Sequence, residues 1–351
     1  MQTRYLTNIQ QLRGISAFVV LLAHVLQSAQ KRVFGDDSFL IDGGVGVDIF
    51  FVISGFIMVG VTHDAFGAPG SSRSFMIRRM ARIVPIYWLY TAVLIALLIA
   101  AGKPPAAMEI VTSFLFIPLD DGTGRFRPIL GQGWTLELEM MFYVIFAACL
   151  AFRRSTGMAL LCAALVALPI AGMFIHSGPF HFWTSAILLE FLIGVLIGLA
   201  YRSRKPTDFP GHIPLILGII AIWLVAVRVL GPGNIYDWRF GSWAAAGAVV
   251  AIAVFARQTE NRKGVLSWLG DISYSLYLVH ILVLLVVAKV SDEMFGERIT
   301  PGLGVAYVAV TIAGSLLAAA ISYRWIERPM ERFVRGLFEK SPSRPSGSVG
   351  A

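Results

Sequence analysis

Eight ionisable side chains interrupt otherwise apolar stretches of this 351-residue sequence: Arg13, His24, Asp48, Glu137, Glu139, Glu190, Arg228 and His280. Charge inside hydrocarbon is costly, so such residues normally face a bundle interior or a water-filled cavity. Three share one depth. His24 lies four residues from the end of the first apolar stretch, Asp48 four from the start of the second, and Glu139 five from the start of the fourth. At a rise of about 1.5 Å per residue, each sits roughly 6 Å or slightly more below one face. A histidine with a carboxylate partner suits general-base work, because the carboxylate fixes the tautomer and stabilises the imidazolium. The plainer account makes each group a hydrogen-bonded packing residue.

Arg13 and His24 are eleven residues apart, three helical turns, so one helix face carries both. A cation near one end and a base near the other suit a long anionic co-substrate that enters at one face and reacts near the opposite one. Taken alone, Arg13 is equally a snorkelling anchor. Arg79 and Arg82, at i and i+3 where the third stretch opens, share a face as well. Guanidinium forks fit phosphate, and a helix N-terminus adds positive dipole. Membrane anchoring is the simpler explanation for either arginine. In the second stretch Gly44, Asp48, Phe51 and Gly55 share a face; close helix packing accounts for the glycines and leaves Asp48 unexplained.

The elements that must position these groups follow from composition. Hydrophobic residues make up 57% and charged residues 14%, against roughly 45–50% and about 25% in soluble domains. That balance excludes a disordered chain, a soluble globular enzyme and, despite a net charge of +8, a nucleic-acid binder. A membrane span needs about 20 apolar residues. Ten stretches qualify: Ile9–Ser28, Gly44–Val61, Ala81–Gly102, Trp134–Phe152, Gly157–Phe174, Trp183–Tyr201, Pro214–Leu230, Ser242–Ala256, Asp271–Lys289 and Pro301–Tyr323. Ala107–Leu119 is too short and reads as a re-entrant or interfacial piece. Alternate loops carry nineteen and eight Lys/Arg, which predicts that both termini are cytoplasmic. Arg13 and His24 argue against reading the first stretch as a signal peptide. The expected fold is an all-α polytopic bundle of about ten spans over residues 1–335, followed by a short flexible cytoplasmic tail, 336–351. Cys149 and Cys162 lie in apolar runs and make neither a disulfide framework nor a metal site. No internal repeat is evident.

Six sequence blocks, in order, resemble the membrane-bound acyltransferase-3 family from Asn8 to about Phe333. They are Arg13 followed by His24; Gly46-Val47-Asp48 through Ser54-Gly55-Phe56; Arg79-Met80-Ala81-Arg82; Trp134 to Tyr143, with Glu139 at the acidic place; Gly270 to His280; and Tyr323 to Pro329. The resemblance implies a bacterial multi-pass inner-membrane enzyme that moves an acyl group, usually acetyl, from cytoplasmic acyl-CoA to a glycan hydroxyl. Gly131-Gln132-Gly133-Trp134-Thr135-Leu136 points within the family toward exopolysaccharide O-acetyltransferases. Two departures stand out: Met140 occupies a place that is often acidic, and Glu137 one that is usually small or polar. Because the chain ends soon after its last span, no fused esterase-like domain is expected.

On this resemblance Arg79 and Arg82, helped by Arg13, hold the phosphates of acetyl-CoA. His24 is the general base or transiently carries the acyl group. Asp48 or Glu139 orients His24 or binds sugar hydroxyls. Trp134, Glu137, Tyr277 and His280 are candidates for lining the substrate path. Expected partners are acyl-CoA, an exopolysaccharide or lipid-linked glycan and the bilayer, with no metal and no nucleic acid. The rival class is a glycan-lipid transporter or flippase, which would show paired repeats and broken helices in its two halves. A purely structural partner of polysaccharide export would leave His24 unexplained.

Overall fold

Apolar stretches that must satisfy their backbone hydrogen bonds without water become helices. The computed structural model describes residues 6–35, 43–120, 122, 124–203, 215–216, 218–219, 222, 239–258 and 264–338. Most of Pro214–Leu230, including Arg228, lies outside these. The helices are α1 Thr7–Phe34, α2 Gly44–Val61, α3 Ser71–Ala100, α4 Ala107–Leu115, α5 Trp134–Leu150 and α6 Arg154–Gly172. They continue with α7 Gly178–Trp183, α8 Leu188–Ser203, α9 Arg239–Phe255, α10 Val265–Phe295, α11 Pro301–Ser322 and α12 Arg328–Phe338. Among the described residues eight helical segments are long and apolar enough to cross a membrane, and Gly241–Phe255 is a shorter apolar helix. The fold is an all-helical polytopic bundle.

One pair of helices organises the rest. α1 and α10 run parallel and, from Gln11 to His24, in register at an offset of 256 residues. Gln11 Nε2 donates to Ser267 Oγ at 3.4 Å. One turn on, Gly14 and Gly270 bring the backbones so close that a Cβ on Gly14 would stand 2.6 Å from the Gly270 nitrogen. A Cβ on Gly270 would meet the Gln10 carbonyl oxygen at 2.0 Å. Only glycine permits this approach. At the far end Arg32 pairs with Asp292, and the Ile299 N–H donates to the Arg32 carbonyl at 3.1 Å. α2 and α8 cross in the same manner: Gly194 lies against the Val52 carbonyl and Gly55 against that of Phe191.

Polar side chains turn inward and apolar ones outward, as hydrocarbon requires. Ser16, Ser273, Ser275, Thr311 and Ser315 are fully buried, while Val305, Val310, Leu317 and Ile321 of α11 are exposed. Two boundaries depart from the apolar pattern. The stretch Trp183–Tyr201 does not begin as helix: Thr184 Oγ1 donates back to the Phe180 carbonyl at 2.6 Å and closes α7, so α8 starts at Leu188. After α11 the chain makes a π-helical turn over Tyr323–Glu327 before α12.

Candidate active site

Two helices bring three guanidiniums together. Arg13 of α1 and Arg79 and Arg82 of α3 line an internal chamber of about 100 Å³, closed by α2, α5 and α10. All three are half-buried, and among the described residues none of them has a carboxylate within ion-pair distance. Arg13 reaches only Gln10 Oε1, at 3.4 Å, and Arg79 lies over the Phe75 ring at 5.8 Å.

One carboxylate, Glu139, lines the same chamber, and a second, Glu327, lies outside that lining; both are held by hydroxyls. Glu139 Oε1 accepts from Ser54 Oγ at 2.8 Å and from Tyr143 Oη at 2.5 Å. Glu327 Oε2 accepts from Ser275 Oγ at 2.5 Å, and Ser275 Oγ lies 3.0 Å from Ser322 Oγ. The π-helical turn shifts the helical phase one residue and buries Glu327 inside a segment whose neighbours Arg324 and Trp325 are exposed. Glu139 and Glu327 are therefore long-range counter-charges to the arginines rather than their direct partners. The chamber presents three cations and one pre-engaged anion, Glu139.

His24 has a different partner from the carboxylate expected of it. Its Nδ1 lies 3.0 Å from the Val20 carbonyl oxygen and 3.3 Å from His280 Nε2, and the ring centroids are 5.2 Å apart. His280 Nδ1 lies 2.9 Å from the Leu276 carbonyl oxygen. A carbonyl oxygen only accepts, so each Nδ1 carries a proton. The His280 Nε2 lone pair then accepts from His24 Nδ1–H. In the neutral rings this assigns both tautomers and leaves His24 Nε2 with the lone pair that a base or nucleophile needs. His280 is 1% exposed and His24 half-buried, so the pair opens on the His24 side. Depth in the sequence put Glu139 at the level of His24; the side chain instead turns toward Ser54 and Tyr143.

Tyr277 joins the two halves. It lines the chamber, and its ring stands 6.2 Å from that of His280 and 6.1 Å from that of Phe50. Its hydroxyl donates to the Gln132 carbonyl at 3.0 Å and lies 2.9 Å from Thr135 Oγ1. Gln132 Nε2 in turn donates to the Leu278 carbonyl at 2.9 Å. The glycine-flanked turn before α5 thus locks onto α10 one turn from His280.

The other sequence candidates take separate places. Asp48 is half-buried in α2, next to the chamber-lining Val47, and makes interactions of its own. Trp134 packs edge-on against Phe51 and Phe182 at 6.1 and 6.5 Å, outside the chamber. Glu137 is 1% exposed with neither oxygen hydrogen-bonded, near Tyr87 of α3, whose hydroxyl is also unpartnered. The two glutamates therefore point to different helices, and of the two only Glu139 lines the arginine chamber. We expect Glu139→Gln to lower turnover by roughly tenfold to a hundredfold, the value of charge-assisted hydrogen bonds, and Glu137→Gln to stay within about threefold. Acyl-transfer rates of the two purified variants check this; equal losses would refute the division.

Ser54, Tyr143, Ser275 and Glu327 belong to the site and were not singled out from sequence. Of the His24–His280 contact the sequence carries only an indirect trace: both helices place a glycine ten residues before the histidine.

This arrangement, a membrane bundle with an internal cationic chamber and, across Tyr277, a histidine pair, defines a multi-pass membrane enzyme suited to group transfer. Residues 6–320 match the family model described as "Acyltransferase domain", and the chain belongs to this membrane-bound acyltransferase-3 family. It is a bacterial membrane acyltransferase of the O-acetyltransferase type. The chain is similar to the exopolysaccharide production protein ExoZ of Rhizobium meliloti (strain 1021), 32% identical over 83% of this chain and 90% of that protein. It is 25% identical to a protein of Staphylococcus aureus (strain COL) provisionally named an O-acetyltransferase, over 94% of this chain and 58% of the other. A Bacillus subtilis (strain 168) protein provisionally named a peptidoglycan O-acetyltransferase, YrhL, is 22% identical over 93% of this chain and 55% of its own length. The chain thus spans little more than half of these last two relatives. No solved structure matches.

Proposed function

We propose that the protein transfers an acetyl or other short acyl group from acyl-CoA, bound at the arginine chamber, to a hydroxyl of an extracellular or lipid-linked polysaccharide presented at His24. The observation that carries this reading is that Tyr277 both lines the arginine chamber and packs 6.2 Å from the His280 ring. Three half-buried cations without ion-pair partners suit the CoA phosphates. Arg13 and His24 lie eleven residues apart on α1, about 16 Å along the helix axis, a span for the flexible pantetheine arm to bridge. The polysaccharide acceptor is supported by the likeness to ExoZ.

In this mechanism His24 Nε2 takes the proton of the acceptor hydroxyl as its oxygen attacks the thioester carbonyl. The C–S bond then breaks, and the proton passes from Nε2 to the leaving thiolate, giving free CoA thiol and the glycan ester. A transient acyl-imidazole would form at the same nitrogen. His280 holds the His24 ring and tautomer and spreads the positive charge that develops on it. Asp48 and Trp134 flank the chamber-facing residues Val47 and Phe51 and shape the route rather than enter the chemistry. We further propose, from the Lys/Arg asymmetry of the loops, that the end bearing both termini is cytoplasmic, so that donor and acceptor arrive from opposite faces. Cysteine labelling from opposite sides at Ser71 and Lys103 tests this.

The deciding experiment is reconstitution. Purified protein in liposomes, given acetyl-CoA labelled in its acetyl group and a polysaccharide oligomer, should yield labelled, alkali-labile glycan and free CoA in equal amounts. CoA release without glycan labelling across a panel of polysaccharide oligomers would refute the acceptor assignment, and no CoA release would refute the donor.

A further inference from the structure

A second cavity, of about 290 Å³, opens at the loop end of the bundle, away from the arginine chamber. Its lining comes from the α3–α4 link, α4 and the loop that leads to α5. The floor is Thr112 and Ser113, both buried, and the rim carries Lys103, Glu109, Asp120 and Arg127, all exposed. Pro104, Pro105 and Pro128 also line it, so much of its wall is fixed before anything binds. The volume is at the lower limit for ligand pockets, which start near 300 Å³, and accommodates one sugar unit.

The rim charges are not equivalent. Glu109 Oε2 accepts the Ala106 N–H at 2.7 Å and caps α4. Asp120 Oδ1 accepts the N–H groups of Gly122 and Gly124, each at 2.9 Å, and holds its loop closed. Both carboxylates thus serve the backbone. Lys103 and Arg127 have no hydrogen-bond or ion-pair partner among the described residues. Arg127 lies on the loop that runs into Gln132, whose Nε2 donates to the Leu278 carbonyl of α10 within one turn of His280. The cavity therefore offers two uncommitted cations, one of them on the loop that locks onto α10 next to His280.

We propose that this cavity is the acceptor subsite and that it takes a carboxylate-bearing sugar, with Arg127 and Lys103 on the carboxylate and the neighbouring hydroxyl turned toward His24. This deepens the acyl-transfer reading and rests on it for the identity of the reaction, while the binding claim stands apart from activity.

The test measures affinity and transfer separately on the full-length protein in detergent or liposomes. The probes are a uronate-containing oligosaccharide, its neutral carboxyl-reduced counterpart and a polyprenyl-diphosphate-linked neutral oligosaccharide. We expect the uronate oligosaccharide to bind the wild type more tightly than the neutral one. Arg127→Ala and Lys103→Ala should each weaken its binding roughly tenfold and leave the neutral affinity unchanged, and Arg127→Lys should recover part of the loss. Arg125→Ala, on the same loop but off the cavity lining, should change neither affinity. Thermal unfolding in detergent identifies any variant that has lost its fold, and Arg127→Lys then carries the comparison. Equal affinity for charged and neutral oligosaccharides, or equal weakening of both by Arg127→Ala, would overturn the proposal. So would an Arg127 effect confined to the diphosphate-linked compound. Uronate-selective binding without acyl transfer would instead uphold the cavity and refute the reaction.

Discussion

Replacing His24 by alanine is expected to lower acyl transfer by about 10²–10⁴, the usual worth of general-base assistance, while leaving the amount of protein in the membrane unchanged. The ring is half-buried and, among the described residues, its hydrogen-bond neighbours are Val20 and His280 alone, so little packing depends on it. His280→Ala should act through His24. It removes the acceptor on His24 Nδ1, and losing a buried hydrogen-bond partner is worth about 1–3 kcal/mol, roughly fivefold to a hundredfold in rate. Groups that act as a unit are not additive, so the double variant should be no slower than His24→Ala. His280→Ala should also alter the pH profile of turnover, a readout that loss of packing alone would not move. His63, which contacts Asp64 and Arg154, and His181, whose Nδ1 meets the Ile175 carbonyl, lie away from the site. Their alanine variants, with that of His176, should keep substantial activity. The measurement is one glycan-acylation assay over the series with expression checked by blot. Wild-type activity in His24→Ala would overturn the mechanism, and multiplicative losses in the double variant would remove His280 from the unit.

The second large effect is expected at the donor end. Arg79→Ala and Arg82→Ala should each weaken acyl-CoA binding by roughly tenfold to a hundredfold, since a charge-assisted contact contributes about 1.5–3 kcal/mol. The losses must come from phosphate contacts rather than from disturbed helices. Acetyl-pantetheine, which has the thioester and arm but no phosphates, separates the two: wild type and variants should use it equally poorly. Arg73→Ala on the exposed first turn of α3 should leave acyl-CoA affinity within about twofold. Calorimetry or a fluorescent CoA analogue gives the affinities, and an unchanged acyl-CoA affinity in both variants would take the chamber out of the reading.

The helices were legible in sequence because a bilayer sets their length and composition together. α2 was read with both ends correct. α10 was read as Asp271–Lys289 and runs from Val265 to Phe295, because Ser267 and Gly270 belong to its seam with α1 and not to a loop. The short stretch after α3 yields the helix Ala107–Leu115, and Trp183–Tyr201 is split by the Thr184 turn, where a side-chain hydroxyl competes with the helix ladder. The chamber arginines were legible because three cations within or at the mouth of apolar helices have few innocent explanations. The partner of His24 was not. Counting residues from a helix end gives depth but not direction, and Glu139 at a similar depth faces Ser54 and Tyr143. The histidine pair depends on which helices are neighbours, and 256 residues separate its members. Glu327 escaped for a third reason. Its inward direction comes from a π-helical turn, and no regular period reports that.

The parallel, in-register seating of α1 on α10 bears on mechanics as well as on chemistry. Gly14 with Gly270 and His24 with His280 are two marks on the same pair of rulers, ten residues apart on each. When two parallel helices tilt together, as they do when a bilayer thins or thickens, both rulers lean equally and the marks stay aligned. Sliding one helix along the other separates them at once. One residue of slip is about 1.5 Å, enough to carry a 3.3 Å nitrogen–nitrogen contact past hydrogen-bonding range. The imidazole pair is thus indifferent to the thickness of the membrane around it and intolerant of shear between its two carriers, with the glycine crossing at one end and the Arg32–Asp292 pair at the other resisting that slip.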